Sequence, residues 1–517
     1  MRSNQKSDPL FQLIKVLSKA EKRNFRLYVT RQSSNTGALF VTLFDALDSM
    51  DAYNDAKILE RTGIRREQLP NIKAHLYNQI LVSNRLLNVK HSKSIELREQ
   101  IDFAKILYDK GLFGQSLKIL DKAKKAAIAN ELFIIAIEIV EMEKNIEILY
   151  NTKNANSRAD YLSMQSNQLT AIIENINDLS NISIQLYGLY LKLGFVRSKR
   201  DVDILESVFL PRIKAKQNTC TTMLEKLHLY YTQMWYTYIN YDFLGCYKFS
   251  SKIMLLYRDN ANLMDQYYDI YLKAIARNME ALYLIGDYKR FIDKLENYEK
   301  NLPEIIGNIN ENGELTAYYT LYINKVNGIF ISGSFSDNIV VIDEIENFIK
   351  RSGDRLGQYE ITMLHYKIAC IYFGINNYEK CLFYLQKIIA VRDNVIRRDI
   401  LCFARILNLI ASYESGNDYN LDAQIKNVYT YLIKMNDMYA VQREVMAFLK
   451  KVRRVSAFEV KNELKSLYEK LKQYEGEPFE QRPFLYLDIL SWLQSKIENK
   501  NIEQVIQEKF IKKTQQI

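Results

Sequence analysis

The chain has 517 residues, 48% hydrophobic and 26% charged, with a formal net charge of +10. Its 17 Gly and 6 Pro amount to about 3% and 1%, against averages of roughly 7% and 5%. That deficit excludes the many tight turns of all-β and α/β folds and leaves an all-α chain.

The charge is uneven. Residues 1–100 hold 17 Lys/Arg against 10 Asp/Glu, a balance of +7 that leaves +3 for the other 417 residues. The N-terminus is polar, without the apolar core of a signal peptide. The longest purely apolar run, "LFIIAI" at 132–137, stops at Glu138, far short of the roughly 18 residues of a membrane span. Cys220, Cys246, Cys370, Cys381 and Cys402 are odd in number and lack C-x-x-C spacing, which fits reduced thiols. The expectation is a cytoplasmic protein with no membrane contact.

The first predicted helices lie near 8–30, 37–50, 53–63 and 69–88, within a basic N-terminal helical domain over 1–95. Ser18 and Glu21 have capping-box spacing in "LSKAEKRNFRLYV" (17–29). "DAKILERTGIRREQLPNIKAH" (55–75) has the spacing of a helix-turn-helix, with Ile58, Gly63, Ile64, Leu69 and Ile72 at its apolar and turn positions. Arg61, Arg65, Arg66 and Lys73 would be its nucleic-acid contacts. Pro70 argues against it. Inside a recognition helix it would cost roughly 3 kcal/mol, whereas the first turn of a fresh helix favours it. Nucleic acid is therefore not the expected partner.

From residue 96 a pattern recurs. Ala104 and Leu107 precede Gly111-Leu112-Phe113, and Ser116, Leu117, Leu120 and Ala123 follow. The same order of small residue, polar turn, aromatic and second apolar helix marks "NYDFLGC" (240–246), "IGDYKRF" (285–291), "SGSFSDNI" (332–339), "ACIYFGINNYEKCLFYLQKII" (369–389) and "SGNDYNL" (415–421). The turn aromatics are Phe113, Phe243, Tyr288, Phe335, Tyr378 and Tyr419, with successive gaps after Phe243 of 45, 47, 43 and 41. The same step predicts hidden turns near 156 and 200 and another at Phe458, where Ser456 and Glu459 have capping-box spacing. About nine helical pairs over 96–475 result. After "YEGEPFEQRP" (474–483), an amphipathic helix around Trp492 begins a set of C-terminal capping helices over 476–517.

These turns resemble the tetratricopeptide (TPR) repeat, in which two helices pack antiparallel with small residues where they cross. The repeats are longer than the 34 residues usual for TPRs, Phe291 and Asn338 replace small residues, and the closing proline is nearly absent. The resemblance implies a TPR-like right-handed α-solenoid of about nine helical pairs behind an N-terminal helical bundle. The opening stretch is similar to TPR proteins of Bacteroidota-type bacteria, a likeness that implies no activity.

No G-x-G-x-x-G, P-loop, H-E-x-x-H or G-x-S-x-G occurs, and His75, His91, His228 and His365 are never i, i+4 partners. Cys370 and Cys381 occupy helix-packing positions, where cysteine acts as a small hydrophobe. No catalytic, cofactor or metal site is expected. Alignment on the turn aromatics puts Tyr108, Tyr238, Tyr283, Phe330 and Phe373 at one inward position, with Lys105, Trp235, Glu280, Asn327 and Cys370 three residues earlier. Tyr231, Trp235 and Tyr238 share one helix face and are expected to present their rings to a partner, while Tyr230 and Tyr236 pack between repeats. The reading is a non-enzymatic scaffold that binds a polypeptide in its concave groove. The alternative is a peptide-sensing regulator whose basic N-terminal domain contacts DNA or a protein effector, in layout resembling the TPR regulators of Gram-positive bacteria.

Overall fold

A computed structural model describes residues 8–31, 35–89, 91–150, 155–391, 398–416, 420–435, 438–452, 454–475, 477, 479–480, 484 and 488–515. These residues form helices and turns and no strand. The chain divides into two compact units, Met1–Ala171 and Ile172–Ile517.

The first unit opens with α1 (Pro9–Val16), α2 (Lys19–Arg31), α3 (Asn35–Asp48), α4 (Asp55–Thr62) and α5 (Leu69–Asn88). The stretch expected as one helix near 8–30 is two, because Ser18 and Glu21 cap a fresh start: Ser18 N donates to Glu21 Oε2 at 2.8 Å and Glu21 N to Ser18 Oγ at 3.2 Å. Phe25, Phe44, Leu47, Ile58, Leu76 and Ile80 close a single core among the five helices. Pro70 stands in the first turn of α5, as its missing N–H favours. Then come α6 (Lys93–Asp109), α7 (Phe113–Ala129), α8 (Phe133–Leu149) and α9 (Ala155–Leu193), whose residues fall in both units. Between α7, α8 and α9 the amine of Lys124 meets the Glu143 carboxylate, both fully buried, and Arg158 and Gln165 complete the network. These two further partners help to satisfy a charge pair that burial alone would penalise.

The second unit continues with α10 (Lys199–Ile204), α11 (Leu210–Lys216), α12 (Met223–Ile239), α13 (Phe243–Asp259), α14 (Met264–Ile285), α15 (Tyr288–Gly307), α16 (Glu311–Ser332) and α17 (Val340–Ser352). It ends with α18 (Gln358–Gly374), α19 (Tyr378–Ile389), α20 (Arg398–Glu414), α21 (Leu421–Met435), α22 (Ala440–Val452), α23 (Ala457–Gln473), α24 (Ile489–Glu498) and α25 (Ile502–Gln515). Each even-numbered helix from α12 to α22 packs on the odd-numbered helix that follows it, and each from α12 to α20 also packs on the next even-numbered one.

Three of the turns inside these pairs share one chemistry. At 241–243, 286–288 and 376–378 the first residue has a positive φ: Tyr241 at 61°, Gly286 at 83° and Asn376 at 60°. The next residue, Asp242, Asp287 or Asn377, does two things. Its N–H donates five residues back, to Thr237 O, Leu282 O or Tyr372 O, each at 2.9 or 3.0 Å. Its side chain then caps the following helix by accepting from Gly245 N, Arg290 N or Lys380 N. One residue thus closes the first helix in a Schellman-type end and opens the second. Gly111-Leu112-Phe113 and Glu131-Leu132-Phe133 keep the five-back bond without the side-chain cap.

Two sequence expectations change. A helix starts at Ala155 and ends at Leu193, close to the expected turns near 156 and 200, but the inter-repeat break between them is absent. With no Pro and only Gly188 to interrupt it, 155–193 is one 39-residue helix where two were expected. Ser456 and Glu459 form their capping box at the start of α23, yet Phe458 is 88% exposed and plugs nothing. The expected turn aromatic Tyr419 lies outside the described residues.

The C-terminal pair does more than cover the last helices. α24 packs on α23, and α25 packs on α24 and on α16. Trp492 Nε1 donates to Glu414 Oε1 at 2.7 Å, and Lys496 pairs with the other Glu414 oxygen. Glu503 accepts from Ser336 N at 2.8 Å, and Gln507 Nε2 donates to Gly333 O at 3.0 Å. Gly333 permits this contact. Its φ is 64°, and a Cβ there would meet Glu503 O at 2.9 Å.

Asp287 lets the double role of the turn residue be measured. Asp287→Ala keeps the backbone bond and removes the cap, with an expected loss of about 1 kcal/mol. Gly286→Ala forces a left-handed side chain and costs about 1–2 kcal/mol. Urea unfolding of the full chain checks both. Wild-type stability in both variants would show that the turn is not under these constraints.

Candidate functional site

α12, α14, α16 and α18 meet along a shared face of the second unit, and the residues aligned by the sequence pattern converge there. α12 is fixed at its start by Thr222, whose Oγ accepts from Glu225 N at 3.2 Å, while Glu225 Oε2 accepts from Thr222 N and Thr221 N at 2.9 and 3.0 Å. Asn175 on α9 donates to the other Glu225 oxygen at 2.8 Å. Burial pushes the Glu225 carboxyl up, but the hydrogen bonds from Thr222, Asn175 and Thr221 outweigh it and hold it below its ordinary value.

One helical turn before the end of α12, Trp235 packs among Tyr187, Tyr190 and Tyr238, with ring centroids 5.2, 5.3 and 5.9 Å away. Phe195 and Phe243 extend this cluster through Tyr238. Trp235 is 3% exposed and Tyr238 1%. The expectation that their rings stand open on the face is therefore corrected. The end of α9 and the Gly194-Phe195 turn cover them, a segment whose contribution no repeat pattern signalled. Tyr231 remains half-buried at the edge, 6.3 Å from Trp235. Tyr230 lies beneath the Lys252 amine at 4.9 Å, and Tyr236 is half-buried.

A charged pair lies against these rings. The Arg277 guanidinium is 4.6 Å from the Tyr238 centroid and 5.4 Å from that of Trp235, and it pairs with Glu280. The Tyr238 hydroxyl donates to Glu280 Oε1 at 2.8 Å. Burial opposes the Arg277 charge, but Glu280 and the tyrosines around it outweigh burial and hold it well above its ordinary value. Burial pushes the Tyr238 phenol well up.

Further along the face, Tyr283, Phe330 and Phe373 line one cavity of about 310 Å³ with Lys367 and Cys370. A smaller cavity of about 50 Å³, walled by Tyr238, Glu280, Ile323, Asn327 and Tyr359, shares Tyr283 and Lys367 with it. Lys367 Nζ donates to Asn327 Oδ1 at 2.8 Å and stands 4.8 Å from the Phe330 centroid and 5.7 Å from that of Tyr283. Burial lowers its pKa, against weaker opposing effects of Cys370 and Glu280. The Cys370 thiol is pushed up to about 12 by burial, so it stays protonated and is a poor nucleophile.

Of the expected partner-facing residues, Tyr231, Trp235, Tyr238, Tyr283, Phe330 and Phe373 therefore gather in the second unit. Tyr108 belongs to the first, where it packs on Phe113 at 5.6 Å beneath the Lys105 amine. Arg61, Arg65 and Arg66 are exposed on and after α4, with Arg61 donating to Ser49 Oγ at 2.9 Å. Lys73 turns inward instead, pairing with Asp8 and the Tyr53 hydroxyl. That internal partner removes it from the expected set of phosphate contacts.

Arg277 and Lys367 were missed. Their signal was in the alignment: six residues before Tyr238, Tyr283, Phe330 and Phe373 stand Thr232, Arg277, Asn324 and Lys367, polar residues on an otherwise apolar face.

No protein-family model matches the chain, and neither a curated protein nor a solved structure matches it.

The packing of Trp235 sets a clear expectation. Trp235→Ala empties a site enclosed by rings and lowers stability by about 3–5 kcal/mol in denaturant unfolding. A loss below about 1 kcal/mol would return the ring to an open surface.

Proposed function

We propose that the chain is a non-enzymatic protein-interaction scaffold, built from TPR-like helical pairs stacked as an α-solenoid, that binds a polypeptide along the face shared by α12, α14, α16 and α18. The observation that carries this reading is the packing order. From α12 to α20, each first helix of a pair touches both its own partner and the first helix of the next pair, the arrangement that stacking produces. The face so formed carries half-buried Tyr231, Tyr283 and Phe330 beside Arg277, Glu280, Asn327 and Lys367. That mixture of aromatic and charged groups is typical of interface hot spots. Fold alone does not define function, so these side chains are what the test below addresses.

The non-enzymatic part is supported by the state of the thiols. Burial raises the pKa of Cys370, Cys246 and Cys381, the reverse of what a nucleophile needs. The regulator reading, with the basic N-terminal helices on DNA, loses support because Lys73 is engaged internally.

Peptide selection by phage display on the immobilised full chain tests the proposal. Enriched peptides are expected to lose about 2 kcal/mol or more of binding with Tyr231→Ala or Tyr283→Ala, and none with Phe458→Ala, whose ring is exposed elsewhere. Absence of enrichment over an unrelated helical protein, or binding indifferent to Tyr231 and Tyr283, would overturn it.

A further inference from the structure

The 310 Å³ cavity has a composition that the scaffold reading does not require. Its walls come from α14, α16, α18 and the C-terminal helices, and its apolar lining is largely aromatic: Tyr283, Phe330, Phe335, Phe373, Phe484 and Phe510. Four charged residues line it: Lys367, Glu475, Asp488 and Lys509. Asp488 accepts from Ser491 N at 2.9 Å and from the Ser491 hydroxyl, capping α24, and Lys509 Nζ is 2.8 Å from Ser491 Oγ. Glu475 is exposed.

Lys367 differs from these. An ammonium carries three donors, and Asn327 Oδ1 is the one hydrogen-bond acceptor that the described residues give it. Among those residues no carboxylate oxygen lies within ion-pair distance of it. Glu280, a carboxylate whose charge acts on it, is committed to Arg277 and the Tyr238 hydroxyl. A cation placed against rings without a counter-charge is costly to bury, and here it borders an open volume within the usual range of small-ligand sites.

We propose that this cavity binds a small aryl monocarboxylate, its ring among Phe330, Phe373 and Tyr283 and its carboxylate on the Lys367 amine. One lysine without a carboxylate partner among the described residues, set against aromatic walls, suits a single negative charge with a flat apolar body, while a lining of two lysines and two carboxylates does not suit a polyanion such as a nucleotide. This site goes beyond the proposed polypeptide-binding face, with which it shares Tyr283, Phe330 and Lys367, and its small-acid test reads it separately from peptide selection on that face. A carboxylate beside an aryl group also occurs at the end of a chain that terminates in phenylalanine, so both sources enter the test.

Isothermal titration calorimetry of the full chain would compare 3-phenylpropanoate, the neutral 3-phenylpropanamide and the tripeptide Gly-Gly-Phe. The acid is expected to bind saturably and at least about ten-fold more tightly than the amide. Lys367→Met, which keeps the length of the side chain and removes its charge, is expected to erase that preference. Tripeptide binding equal to that of the acid would support the site and assign its ligand to chain ends. Weaker tripeptide binding would support it with a free acid as ligand. Equal binding of acid and amide by the wild type, no saturable binding of the acid, or an undiminished preference in Lys367→Met would overturn the proposal. The wild-type comparison decides the matter even if the variant does not fold.

Discussion

The fold depends on a three-residue turn. A helix leaves four carbonyls without partners at its end and four N–H groups at its start, and two helices joined by a short link must solve both problems at once. Asp242, Asp287 and Asn377 do so with one residue each, the N–H reaching five residues back and the side chain reaching three forward. The preceding left-handed residue makes this geometry possible. Where it is Gly286 the conformation is nearly free. Where it is Tyr241 it costs about 1–2 kcal/mol, and the stacking of Tyr241 on Phe195 at 4.9 Å helps to hold it. The aromatic after the turn then packs back on the first helix, as Phe243 does on Tyr238 and Tyr378 on Phe373.

Polarity on the shared face follows from that order. Once α14, α16 and α18 lie side by side, residues at matching distances before each turn become neighbours. Glu280, Asn327 and Cys370 form one row, and Arg277, Asn324 and Lys367 the next. Arg277 finds a carboxylate and two rings, whereas Lys367 finds an amide and two rings. The return of α25 to α16, through Glu503, Gln507 and the bare backbone of Gly333, adds the wall that makes the space beside Lys367 a cavity.

Much of this was legible in the sequence because the turn is local. Gly-Asp-Tyr and Asn-Asn-Tyr announce a helix end, a cap and a plug within three residues, and the deficit of glycine and proline announces that little but helix lies between. Glu131-Leu132-Phe133 adopts the same five-back turn yet passed unnoticed, since neither Glu131 nor Leu132 is a turn residue by type. The continuous α9 was missed for the opposite reason: a repeat of fixed period implies a break, and nothing local at 155–187 supplies one. Trp235 was misread because its cover is distant in sequence. Helix spacing gives the face on which a ring lies, but Tyr187, Tyr190 and Phe195 arrive from α9 and its end. Nor could periodicity foresee that α25 would pack some 170 residues back in the chain, a contact that depends on two side chains and one glycine.

Side-by-side packing of α14, α16 and α18 in the second unit is the arrangement on which the proposed interaction face depends, and a double-mutant cycle between Asn327 and Lys367, read by denaturant unfolding of the full chain, measures it directly. Neighbouring helices that place Lys367 Nζ 2.8 Å from Asn327 Oδ1 give a coupling of about 0.5–3 kcal/mol between Asn327→Ala and Lys367→Met. Effects that simply add would contradict the packing.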